Sequence, residues 1–112
     1  MSEAPLLDGA VLDDLIGHIG DEAVRAIVGL FIGECHESAV AIGAAASPDA
    51  VRRAAHSLKS SAGQLGAAAL AEAALEVEAA AEQKSPGLPQ LIAGLLDCAA
   101  RTEAVMAGRL AG

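Results

Sequence analysis

The feature of this 112-residue chain best suited to chemistry is a histidine set among positive charges. Around it runs Val51-Arg52-Arg53-Ala54-Ala55-His56-Ser57-Leu58-Lys59-Ser60-Ser61-Ala62-Gly63. At about 100° per residue a helix here has two faces. Val51, Ala54, Leu58, Ala62 and Leu65 form the apolar one, with Ser61 among them; Arg52, Arg53, His56, Lys59, Ser60 and Gly63 form the other. Three of the seven basic residues thus share a face with one histidine, and Arg52 (i−4) and Lys59 (i+3) are its surface neighbours. An exposed neutral imidazole is a competent nucleophile. Once it held a phosphoryl group, the adjacent cations would offset the negative charge gained. Ser60 and Gly63 keep the face low enough for a partner's active site, and Ser60 or Ser61 offers a hydroxyl to a phosphate oxygen. The plainer reading is a solvated histidine among ordinary surface charges.

Other chemistries lack their residues. His18, His36, Cys35 and Cys98 show neither HExxH nor CxxC spacing, and the Glu-x-x-His repeats of bundle di-metal sites are absent, so no metal site is expected. With no GxxxxGK[ST] or GxGxxG loop, the chain has no visible means of binding ATP, and autokinase activity is not expected. An acidic cluster for Mg²⁺ is missing as well. Net charge is −8 and Phe31 is the only aromatic, which argues against nucleic-acid and anionic-membrane partners and against base stacking. The two cysteines read as buried thiols of a reducing cytoplasm. The start, Met1-Ser2-Glu3-Ala4-Pro5, does not resemble a signal peptide, and no uncharged run exceeds 12 residues, against about 20 for a membrane span.

Helices must position the histidine. Alanine alone supplies 28 residues, favouring closely packed helices over strands. Asp8-Gly9 opens a short apolar segment, Val11 to Ile19. Asp21 is the expected N-cap of a helix over about 21–46, with Val24, Ile27, Val28, Phe31, Cys35 and Ile42 on one face and Glu22, Arg25, Gly29, Gly33 and Glu37 opposite. Ser47-Pro48 reads as N-cap plus N1 proline of a helix over 48–64. Gly63 and Gly66 bracket a turn before a helix over 67–84, and Ser85-Pro86-Gly87-Leu88-Pro89 separates that from a last helix over 89–110. This last helix shows Ile92, Leu95, Leu96, Ala99 and Met106 on one side, with Glu103 as an unexplained mismatch. The expected architecture over residues 1–112 is one all-α domain, an antiparallel four-helix bundle with a short extra N-terminal helix.

The run His56-Ser57-Leu58-Lys59-Ser60-Ser61, followed by Leu65-Gly66-Ala67, resembles the phosphoacceptor motif of histidine phosphotransfer (HPt) domains. Leu30-Phe31-Ile32 with Glu34 is similar to the apolar run of the family's preceding helix, and the resemblance extends from about residue 8 to 110. The family shuttles phosphoryl groups between receiver-domain aspartates on a four-helix bundle. The resemblance implies that His56 is the phosphoacceptor and Lys59 the charge partner of the phosphate. It departs at Ser60, where the family usually has Gly. It departs again at Glu78, which aligns with a Gln that many members hydrogen-bond to the imidazole. A hairpin turning near Leu65 brings Glu78 within about a turn of His56, where it either orients the ring or simply faces water.

The expected function is a phosphorelay intermediate, taking the phosphoryl group from one receiver Asp onto His56 and passing it to another. Arg52, Ala55, Ser60 and Gly63 join Lys59 on the expected docking face. Response-regulator receivers and a hybrid sensor kinase are the expected partners, with Mg²⁺ in the receiver and no cofactor of the chain's own. A cytoplasmic monomer is expected. The other readings are a helical adaptor or inhibitor with no use for the basic face, and a kinase dimerisation domain, whose motif follows His with Glu or Asp rather than Ser57.

Overall fold

Local signals account for most helix ends. The computed structural model describes residues 4–44 and 47–111, with side chains through residue 109. Asp8 caps α1 (Gly9–Ile19) by accepting from the Ala10 N–H at 3.1 Å, and Gly20, at φ 92°, ends it. Next comes α2 (Asp21–Ala44). Asp21 is its first helical residue rather than its N-cap: Gly20 supplies the carbonyl that the Val24 N–H reaches, and the Asp21 carboxylate instead pairs with Arg25 at 2.7 Å. The expected end of this helix, at residues 45 and 46, lies outside the described residues, as does the opening 1–3 of the leader reading.

Ser47 caps α3 (Pro48–Gln64), its hydroxyl oxygen accepting from the Ala50 N–H, with Pro48 opening the first turn. Beyond α3, Gly66 takes φ 81°, and a β-carbon there would lie 2.8 Å from the Asp8 carbonyl oxygen and 2.9 Å from Val11 Cβ. The turn needs glycine for both reasons. It also ties down the N-terminal segment, because the Gly66 carbonyl accepts from the Asp8 N–H at 2.7 Å. Then follow α4 (Ala68–Glu82) and α5 (Leu88–Ala111). Lys84, expected within α4, lies beyond it at φ 53°.

Among the described residues there are five helices and no strand. α2 packs on α3, α3 on α4, α4 on α5 and α5 back on α2, closing a four-helix ring with α1 laid against α2. Leu12, Val28, Leu58, Leu70, Val77, Leu95 and Met106 fill the core. Small residues do as much as large ones: Ala55, Ala62, Ala67 and Ala74 are fully buried, which lets α3 and α4 approach closely. Thr102 is buried without cost because its hydroxyl donates to the Cys98 carbonyl one turn back.

By length and composition, α2 could cross a membrane despite its charges, with a mean hydropathy of 1.3 over its best window. In the fold it is a bundle helix, burying Val24, Val28, Phe31, Cys35 and Ile42. Ile27, expected on that buried face, is 38% exposed at its edge. Glu103, the mismatch on α5, lies half-buried in a shallow groove beside His36 and Glu37 of α2, so its carboxylate stays at the margin of the core.

Candidate functional site

The site is built on the seam between α3 and α4. Val51, Ala55, Leu58 and Ala62 form the buried stripe of α3, continued by Leu65 just past its end, which leaves His56 beside the seam with its side chain 58% exposed. Across the seam stands Glu78 of α4, its side chain only 14% exposed. Its carboxylate has two partners. Oε2 lies 2.6 Å from His56 Nδ1, and Oε1 accepts from Lys59 Nζ at 2.8 Å. Lys59 and His56 are one turn apart on α3, so a single carboxylate on the facing helix engages both.

That bridge fixes the chemistry of the ring. The Lys59 hydrogen bond, followed by the His56 bond and the charges of both partners, holds the Glu78 carboxyl below its ordinary 4.5 and outweighs the opposing effect of burial. Glu78 is therefore an anion at neutral pH and can only accept. The proton of the neutral imidazole then sits on Nδ1, and the lone pair is on Nε2, at the exposed end of the ring.

The other anticipated residues fall around this centre. Ser60 and Gly63 are exposed beside His56, and a β-carbon at Gly63 would meet nothing within 4 Å. Arg52 is half-exposed one turn before His56, with its guanidinium on Asp49 at 3.1 Å, and Arg53 also pairs with Asp49, at 3.4 Å. Ala55, expected on the docking face, is fully buried, because α4 packs against that side of α3 and rotates the buried stripe towards it. Ser61, expected to offer its hydroxyl to a phosphate, instead donates to Glu34 Oε1 of α2 at 2.8 Å, on the opposite flank of α3. The Ser61–Glu34 pair was not anticipated, since nothing in the spacing says which α2 residue meets α3.

Histidines and cysteines elsewhere do not converge. His18 Nδ1 bonds the Asp14 carbonyl within its own helix. Burial, aided by the charges of Glu103, Glu34 and Cys98, pushes the Cys35 thiol up to about 12, which keeps it protonated and inert. Cys98 is shifted upward too, mainly by burial. Among the described residues no group of three or more His, Cys, Asp or Glu is placed to hold a metal ion.

An Hpt domain model matches residues 26–105, which span α2 to α5 and include the whole His56–Lys59–Glu78 cluster. The chain belongs to the Hpt domain family. It is similar to histidine-containing phosphotransfer protein B (HptB) from Pseudomonas aeruginosa PAO1, whose crystal structure superposes with a TM-score of 0.87 at 27% identity over 96% of each chain. Comparison with curated proteins gave no match. Family and structural likeness agree: this Hpt protein is a histidine phosphotransfer intermediate of phosphorelays, a covalent phosphoryl carrier that works with receiver domains and kinases.

Proposed function

We propose that His56 carries the phosphoryl group, on Nε2. The observation that supports this reading is the 2.6 Å contact between His56 Nδ1 and an anionic Glu78, which leaves Nε2 as the free nucleophile. In the forward half-reaction the Nε2 lone pair attacks phosphorus of a receiver's aspartyl phosphate. The Nε2–P bond forms, the P–O bond to the aspartyl oxygen breaks, and the carboxylate leaves. The Nδ1 proton stays on the ring, and its bond to Glu78 stabilises the positive charge that develops there. Return to a second receiver Asp reverses each step, with the carboxylate oxygen attacking phosphorus and Nε2 leaving.

Lys59 is the charge partner of the bound phosphoryl group. It rests on Glu78 in the free protein, and a dianionic group arriving beside it draws the ammonium away from the carboxylate. Glu78 thus holds Lys59 ready within one turn of the reacting nitrogen. Arg52, Ser60 and Gly63 belong to the receiver-docking face, where Ser60 in place of the usual glycine adds only a hydroxymethyl group. Mg²⁺ belongs to the receiver's phosphorylation site, and the chain uses no cofactor of its own. We further propose that it has no autokinase activity, acts as a cytoplasmic monomer, and takes its phosphoryl group from a hybrid sensor kinase for delivery to a response regulator.

The test is transfer from phosphorylated receiver domains to the wild type and to His56→Ala. Acid-labile, base-stable label on the wild type alone is expected. Equal label on His56→Ala contradicts the assignment.

A further inference from the structure

On the side of α3 away from Glu78, α2 and α3 enclose a groove of about 180 Å³. Ile27, Leu30, Phe31 and Leu65 form its apolar walls, and Glu34 and Gln64 supply its polar groups. Leu30 is 77% exposed at its rim, beside Ile27 at 38%. Glu34 is half-buried, and the hydrogen bond it is given among the described residues uses one carboxylate oxygen, Oε1, which accepts from Ser61. An apolar slot ending in a carboxylate fits a side chain with a methylene stem and a cationic head. The groove lies on the other flank of α3 from the His56–Glu78 pair, further along the same helix. Ser61 and Gln64 stand five and eight residues beyond His56 on the same helix, about 7.5 and 12 Å along its axis. A standard interface of roughly 800 Å² per partner, centred on the histidine, covers that distance.

We propose that this groove receives a lysine or arginine side chain of the receiver domain, and that Glu34 and Leu30 thereby determine which receivers the protein accepts. The inference rests on the reading of His56 as acceptor for receiver phosphoryl groups. Docking then has a polarity: the acidic phosphorylation pocket of the receiver meets Lys59 and Arg52 at one end, and a receiver cation meets Glu34 at the other. A receiver with the cation at the wrong place, or with an acid there, leaves Glu34 unpaired or repelled and is rejected.

The experiment measures transfer kinetics from the phosphorylated receiver domains encoded in the same genome, for the wild type, Glu34→Gln and Leu30→Ala. Chemical phosphorylation of His56 by phosphoramidate, which needs no docking, is the control. Glu34→Gln keeps the Ser61 contact and removes only the charge. It is expected to raise KM for accepted receivers about tenfold, as loss of a charge-assisted contact does, with the rate at saturation unchanged. Leu30→Ala, at an exposed position, is expected to raise KM by a similar factor. Reversing the receiver's exposed lysines and arginines one at a time should yield one variant that Glu34→Lys accepts and the wild type rejects. Unchanged KM in both single variants overturns the groove assignment while leaving His56 intact, as does an equal fall in phosphoramidate labelling, which would trace the effect to the fold. Labelling by phosphoramidate but by no receiver overturns the receiver reading and this inference with it.

Discussion

Glu78 is the residue on which the site turns, since one carboxylate sets the tautomer of His56 and parks Lys59. Replacing it separates the two roles. Glu78→Gln retains an oxygen for the Nδ1–H but loses the charge, and Glu78→Ala loses both; receiver-to-histidine transfer should slow by about tenfold in the first and further in the second. Lys59→Ala should slow transfer with the circular dichroism spectrum unchanged, because Lys59 contributes to the α3–α4 seam only through Glu78; an unaltered rate would remove its role. The ion pairs also predict a pH dependence. Because the Glu78 carboxyl is held below 4.5 in the folded state, its stabilising effect is fully present above that value and is lost as pH falls below it. The difference in melting temperature between wild type and Glu78→Gln should therefore be constant near neutrality and shrink in acid. A difference that grew in acid would contradict the pairing. In the sequence, His56 and Lys59 stand out by spacing alone. Glu78 was reachable only by carrying the α3–α4 hairpin through Gly66, and its grip on Lys59 depends on side-chain reach that spacing does not encode.

Among the elements, α3 bears the site and the turn after it sets its partner helix. Its ends were legible because Ser47-Pro48 and Gly66 act locally. Which flank of α3 is buried was less so: Ala54 and Ala55 are the same residue type on neighbouring positions, and only the packing of α4 selects Ala55. Ser61 could not be placed for the same reason, as its hydroxyl satisfies Glu34 of another helix. The turn itself offers a prediction. Gly66→Ala forces an L side chain into a left-handed backbone and against the Asp8 carbonyl and Val11. It should cost about 1–3 kcal/mol and lower the melting temperature by several degrees in a thermal scan, whereas Gly63→Ala, with open space around it, should stabilise the helix slightly. Equal effects of the two would show that the turn is not under this constraint.

At the scale of the molecule, a ring of four helices is what an alanine-rich chain with short connections and no strand periodicity can build, and that much was legible in composition and punctuation. The apolar character of α2 misleads if read alone, since its exposed residues Ile27, Leu30 and Val40 raise its hydropathy without joining the core. What the ring provides is a rigid backing: Leu58 and Ala55, both fully buried, fix the α3 backbone beneath an imidazole that stays open to solvent. The most direct test of the account is therefore the position of phosphorus on the ring. Phosphorylated protein with ¹⁵N-labelled histidine, examined by ³¹P and ¹⁵N NMR, should show a single phosphohistidine at residue 56 bonded through Nε2, with the Nδ1 proton retained. Phosphorus on Nδ1, or on any other residue, would contradict it.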